Sequence, residues 1–214
     1  MSFLKKIFFL FFIVSSLSSI AQQRFSEGSL VFNIVSIANG LQSKGDAKMI
    51  QFIRGGHYRS EIISSLGRTI TIYDDKEGLG AILKEYGQQR IMTPMNHAQW
   101  DSKNRKKGTV VFLVTSERKQ ILGYSCQKAT ASLPDGSTLD VYFADQLIPE
   151  NANMELQFEQ LQGVVLEYKS TLGNSIVNYV AESLNFDPVP IQNFELPNSG
   201  YRILNFEESV KAKN

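Results

Sequence analysis

The chain has one cysteine and two histidines among its 214 residues, and each scarcity excludes something. The single thiol, Cys126, has no partner within the chain, so no internal disulfide framework is available to hold the fold. With only His57 and His97 beside it, too few imidazole and thiolate ligands exist for a zinc-type centre, which needs several converging on one ion. Charge of one sign is lacking too: 22 Lys and Arg stand against 21 Asp and Glu, a formal net of +1. That balance argues against nucleic acid as a partner and against a polybasic membrane patch. After the N-terminal segment no apolar run approaches the ~18 residues that span a bilayer.

Several features are present. Lys5 and Lys6 precede the apolar run Ile7 to Val14, and small residues follow up to Ser19-Ile20-Ala21. The segment 1–21 therefore reads as a secretory signal peptide, too short in its apolar part to remain as an anchor. Cleavage after Ala21 leaves residues 22–214 as a single domain. Losing those two lysines takes the formal charge from +1 to −1. No cysteine lies near the cut, so a periplasmic or secreted protein is expected, without a lipid anchor and without stable membrane insertion.

From residue 26 onward apolar and polar residues alternate with period two, in short runs bounded by Gly, Asn, Asp and Pro, as half-buried antiparallel strands do. The runs are 29–37, 48–54, 58–64, 68–73, 80–86, 89–93, 110–115, 119–131, 138–144, 164–171 and 175–184, or roughly ten strands. Leu30, Phe32 and Ile34 form one face of the first, and Ile50 and Phe52 are taken as the matching face of the second. Gly55-Gly56 and Pro134-Asp135-Gly136 are turn signals. Two segments depart from the pattern, Met95 to Lys107 and Pro149 to Gln162, and both are expected to be helical. The basic end of the former (Lys103, Arg105, Lys106, Lys107) suits a helix C-terminus. Pro188, Pro190 and Pro197 predict an extended C-terminal stretch, laid along the domain as an edge strand. The fold class is mainly β: a curved antiparallel sheet or half-open β-barrel with one or two short helices.

Candidate chemistry is thin. Gly123-Tyr124-Ser125-Cys126-Gln127 approaches a hydrolase elbow but lacks its second glycine and lies in a strand pattern. Cys126 pairs with a histidine only in an enzyme reading; as a lone thiol it fits a small core residue with its pKa raised by burial. On the strand 119–131, Leu122, Tyr124 and Cys126 are expected to share an inward face. His57 and Glu61 are ~13 Å apart on a strand, too far to share an ion. Asp74-Asp75-Lys76-Glu77-Gly78 reads as a hairpin turn rather than a calcium loop. Gly78 and Gly80 belong to no phosphate-binding loop. No catalytic residue, metal site or cofactor is assigned.

Aromatics are the more suggestive content. They fill the core of any β-domain, but a curved sheet with few helices also leaves room for an apolar ligand. Phe32, Phe52, Ile72, Phe112, Tyr124, Phe143 and Leu166 are expected to line such a space.

Residues 119–129, Lys-Gln-Ile-Leu-Gly-Tyr-Ser-Cys-Gln-Lys-Ala, resemble the K-x-I-x-G-Y-x-C-x-K-A signature of the GLPGLI family of exported proteins of Gram-negative bacteria. Leu161-Gln162-Gly163-Val164-Val165-Leu166 falls where the naming motif of that family would stand, with Gln162 in place of its proline. Phe194-Glu195-Leu196-Pro197-Asn198-Ser199-Gly200-Tyr201 is similar to a closing F-x-x-P-x-G-Y element, with one extra residue. The resemblance implies an envelope protein with a fold akin to the lipoprotein carriers LolA and LolB, which shelter acyl chains in a half-open barrel. It carries over no catalytic residues. Gly123 and Tyr124 are read as a strand position of close backbone approach beside an aromatic. The expected function is non-enzymatic: holding a lipid-like or apolar small molecule, or docking to an outer-membrane protein. The alternatives are a secreted hydrolase using Cys126 or Ser125, and an interaction protein with a filled barrel and an exposed apolar patch.

Overall fold

The computed structural model describes residues 22–38, 41–42, 47–104, 110–133, 138–150, 156–172 and 175–211. The expected leader, the Pro134-Asp135-Gly136 turn and the basic residues Arg105 to Lys107 lie outside them. The alternation becomes strands β1 (Gln23–Phe25), β2 (Glu27–Ala38), β3 (Leu41–Gln42), β4 (Ala47–Arg54), β5 (His57–Ser64), β6 (Gly67–Asp74), β7 (Leu79–Tyr86) and β8 (Gln89–Asn96). Helix α1 (His97–Asn104) is followed by β9 (Val111–Ile121), β10 (Tyr124–Ser132), β11 (Thr138–Ala144), β12 (Leu147–Pro149), β13 (Val164–Leu172), β14 (Ser175–Asn185), β15 (Arg202–Ile203) and helix α2 (Phe206–Lys211).

One sheet runs in the order β15-β8-β7-β6-β5-β4-β2-β14-β13-β11-β10-β9, with β3 added beside β2. It is antiparallel throughout except for β15 on β8, and a separate parallel pair joins β1 to β12. The sheet is curved and does not close. The described helices are eight and six residues long, so the mainly-β, half-open architecture holds.

Register decides the faces. Phe32 pairs with Met49, not with Ile50 or Phe52. Met49 and Ile53 therefore share the face of Leu30, Phe32 and Ile34, called here the inner face, and pack in one cluster with them. Ile50 and Phe52 point the other way, which corrects the face assigned to them. The outer side of the strand is apolar because the C-terminal segment crosses it. Val189 and Phe194 pack there with Ile70, Ile72, Ala81 and Leu83, and Phe52 lies against them. Arg54 donates to Val189 O at 2.8 Å and Arg59 to Asn193 O at 2.7 Å, which fastens this strap.

Other expectations change with the local physics. Residues 119–131 are not one strand but a hairpin, β9 to β10, closed by Leu122-Gly123 with Ile121 facing Tyr124. Both turn residues have positive φ, 52° and 82°, the requirement of the turn type that matches strand twist. Gly123 has open space where a Cβ would stand, so its glycine serves conformation, not close approach. Leu122 is accordingly a turn residue, 40% exposed, and not part of a buried face. Gly123→Ala is expected to cost about 1 kcal/mol and Leu122→Asn to gain a few tenths or more, because Asn tolerates that region and leucine does not. Urea denaturation of the two variants measures both signs.

The helix expected at 95–107 begins only at His97, after β8 has continued through Pro94. Asn96 caps it reciprocally: Gln99 N–H donates to Asn96 Oδ1 at 3.0 Å and Asn96 N–H to Gln99 Oε1 at 3.1 Å. The helix expected at 149–162 is absent from the described residues. Pro149 ends β12, and one 3₁₀ turn occupies Leu156–Phe158. The C-terminal stretch is not extended throughout, because Ile191–Phe194 wind into a 3₁₀ turn after Pro190; beyond it the chain reaches β8 as the edge strand β15, then turns into α2. That helix is capped by Asn205, whose Oδ1 accepts from Glu208 N–H at 2.8 Å. Gly55-Gly56 closes the β4–β5 hairpin, and the acidic run is a turn in which Asp74 Oδ1 accepts from the N–H groups of Lys76 and Glu77.

Candidate functional site

A cavity of about 410 Å³ opens beside the β1–β12 pair, within the roughly 300–1,000 Å³ range of small-molecule sites. Ile148, Pro149, Phe158, Leu161, Val164 and Val165 supply its apolar wall, and Gln22, Arg24, Glu159 and Gln162 its polar rim. Local structure explains the placement. The parallel pairing sets Arg24 opposite Ile148 and Phe25 opposite Pro149. Alternation then sends Phe25 into the core, edge-on to Phe186 at 4.9 Å, and leaves Gln22 and Arg24 on the cavity side. The far wall hangs on Phe158, whose ring meets Tyr168 at 5.1 Å and Phe112 at 6.3 Å. Two tight turns follow, Leu161 N–H to Phe158 O and Gly163 N–H to Leu161 O. At Gly163 a Cβ would stand 2.5 Å from Ala144 O, so only glycine lets the segment lie this close to β11 and roof the cavity.

None of the residues expected to line a ligand space borders this cavity. Phe32, Phe143 and Leu166 are buried in the inner cluster, and Tyr124 and Phe112 pack against its edge. Phe112 comes nearest, standing behind Phe158. Phe52 and Ile72 lie on the outer face, where Ile72 floors an open groove of about 430 Å³ beneath the strap. The structure therefore divides these seven positions between two faces. The lining was missed because it comes from irregular segments and short strands of three residues, where period-two reading is silent. The signal available was Leu161 to Val165, the stretch that resembles a family motif.

The hydrolase candidates are placed differently from a catalytic pair. Cys126 is fully buried, side by side with Ala144 and Lys119 on the flanking strands. Burial pushes its thiol up to about 11. Its Sγ lies 3.5 Å from Tyr124 O. Ser125 Oγ is 3.5 Å from an Arg118 guanidinium that is itself paired with Asp145 at 2.6 Å. The histidines are engaged elsewhere: His57 with Asp74 at 3.3 Å, and His97 with the Tyr73 hydroxyl at 2.7 Å. The two lysines of the 119–129 signature brace Tyr142. Lys119 sits 3.9 Å over its ring and pairs with Glu167, while Lys128 pairs with Glu117, which accepts from the Tyr142 hydroxyl. The signature thus specifies a hairpin and its supports.

Cys126 in the folded protein is expected to resist thiol reagents at neutral pH and to react at the rate of unfolding. Because its folded pKa exceeds the unfolded value of ~8.5, the thiol favours the folded state below that value. That contribution is lost as pH rises toward about 11. Cys126→Ala should cost on the order of 1 kcal/mol through lost packing. Timed labelling with and without urea, together with a denaturation curve of the variant, tests both.

No protein-family model matches the chain, and no curated protein matches it. Among solved structures, PNGF-II in the C2 space group is similar over 87% of this chain and 32% of its own, at 15% identity and a TM-score of 0.50. This chain therefore spans about a third of PNGF-II, and at that identity the likeness is one of fold. An uncharacterized conserved protein from Thermus thermophilus aligns over 84% of this chain and 91% of its own, at 8% identity and a TM-score of 0.46. A beta-barrel-like protein of the domain of unknown function DUF1849 from Brucella abortus aligns over 77% and 99%, at 6% identity and a TM-score of 0.39. No helix among the described residues is long and apolar enough to cross a membrane.

Proposed function

We propose that this chain is an exported, non-enzymatic binding protein of the cell envelope that holds an apolar or lipid-like ligand in the cavity between β1, β12 and residues 158–165. The observation that carries this reading is the cavity itself, about 410 Å³, lined by Ile148, Pro149, Phe158, Leu161, Val164 and Val165 together with four polar side chains. Apolar area withdrawn from water there contributes ~25 cal/mol per Å², so a hydrocarbon chain is the natural occupant. The resemblance to GLPGLI proteins and to the lipoprotein carriers points the same way, as does the leader expected at 1–21.

Mass spectrometry of the protein purified from its own envelope, before and after organic extraction, tests the reading. An extractable amphiphile is expected, and Ile148→Trp, which fills the cavity from a strand position, should release it. Protein that carries none, and that takes up no apolar probe after extraction, would overturn the proposal.

Strand docking to an outer-membrane protein is the second reading. It rests on β9, which among the described residues pairs with β10 alone and exposes Val111, Leu113 and Val114. Co-purification of a membrane protein, lost in Leu113→Lys, would favour it.

A further inference from the structure

The cavity has a charged end. Arg24 is exposed at the rim, two residues from Gln22 on the same side of β1 and opposite Ile148. Among the described residues it forms no hydrogen bond or ion pair. In contrast, Arg54, Arg59, Arg68 and Arg118 are each held by a carboxylate. Glu159 borders the same cavity and is itself engaged in an interaction of its own. The guanidinium is a planar fork of donors suited to carboxylate and phosphate oxygens, and its methylene stem lies comfortably along apolar surface.

An apolar wall ending at such a group matches both ends of one kind of molecule. Resting on the reading of the cavity as an apolar-ligand site, we infer that its ligand is an anionic amphiphile, whose carboxylate or phosphate head is held by Arg24 while its chain lies against Phe158, Leu161, Val164 and Val165. Cleavage after Ala21 reinforces the arrangement. It makes Gln22 the first residue and places an α-ammonium, with an ordinary pKa of ~7.7–8.0, on the same rim. Leader removal then adds a second positive charge beside Arg24.

Isothermal titration of the delipidated, exported protein with decanoate, decyl phosphate and decanol tests this. At least one of the anions is expected to bind about tenfold more tightly than the alcohol, the difference between a hydrogen bond to a charged group and a neutral one. Arg24→Gln should remove that advantage and leave decanol binding unchanged, with Arg24→Lys keeping part of it. A preference for decanoate identifies a fatty-acid head and a preference for decyl phosphate a phospholipid-type head. Decanol binding as tightly as both anions, or an equal loss for all three in Arg24→Gln, would overturn the anionic head while the apolar site stands. Failure of all three to bind the parent protein would overturn the site reading beneath it.

Discussion

Replacing Glu61 with leucine should cost about 3 kcal/mol, seen as a lower urea midpoint with an unchanged slope. Glu61 is one of only three polar or charged side chains buried among the described residues, at 5% exposure, and it serves two cations at once. Arg59 Nε donates to one carboxylate oxygen at 2.5 Å, and Arg68 Nε donates to the other at 3.0 Å. The leucine variant strands both guanidinium groups against each other without a counterion. The cost falls unevenly. The Arg68 side chain is 39% exposed and can take up water, while that of Arg59 is 15% exposed and also holds the strap through Asn193 O. Looser attachment should appear as faster proteolysis between residues 187 and 204. Adding Arg59→Met should return part of the lost stability, since it removes the more deeply stranded charge. A leucine variant as stable as the parent would show that water screens both cations and that the strap holds by its apolar contacts alone.

The same strap explains why some of the fold was legible in the sequence and some was not. Alternation located the strands because each has at least one face in a core. It failed to orient β4, where Met49 and Ile53 serve the inner cluster and Phe52 the outer one. A strand apolar on both sides carries no sign of which side faces which neighbour. Gly123 inside an alternating run reads as a bulge or close approach, and a leucine before it at positive φ is too unusual to predict. The β9–β10 turn was therefore invisible, and the break expected between 115 and 119 falls inside the continuous strand β9. The run expected at 89–93 extends to Asn96 through Pro94, which sits beyond Ile91 and Met92, the two residues that β15 pairs with, on an edge where a missing N–H costs nothing. The helix α2 did leave a trace, Asn205 followed three residues later by Glu208, a capping box that the prolines upstream obscured. The cavity left least of all. Its lining belongs to β1, β12 and the 158–165 segment, none long enough to show a period.

Trp100→Ala should lower stability by about 3–5 kcal/mol. The helix that carries it has only eight residues and is too short to persist in water on its own propensity. Its main apolar contact with the inner face is one side chain. The Trp100 indole, 4% exposed, stacks on Tyr73 with centroids 4.1 Å apart and planes 4° apart, and meets Tyr58 edge-on at 6.5 Å. The Tyr73 hydroxyl in turn bonds to His97 Nδ1 at the start of the same helix. Burial, with Asp75, Asp101 and Asp74 nearby, pushes that phenol above its ordinary pKa, so the contact stays neutral through the physiological range. Removing the indole leaves Tyr73 and Tyr58 facing a gap that an alanine cannot fill, and α1 then detaches from β5 and β6. Circular dichroism in urea gives the stability, and a rise in binding of an apolar dye reports the uncovered face. Because this is the only tryptophan, the parent protein supplies its own control. Its emission should be that of a buried indole and resist iodide quenching until the helix lets go. Trp100→Phe keeps a ring over Tyr73 and should recover most of the loss. An alanine variant within about 1 kcal/mol of the parent would mean that α1 covers nothing the sheet needs buried, leaving the inner face to be closed by Phe158 and Leu161 alone.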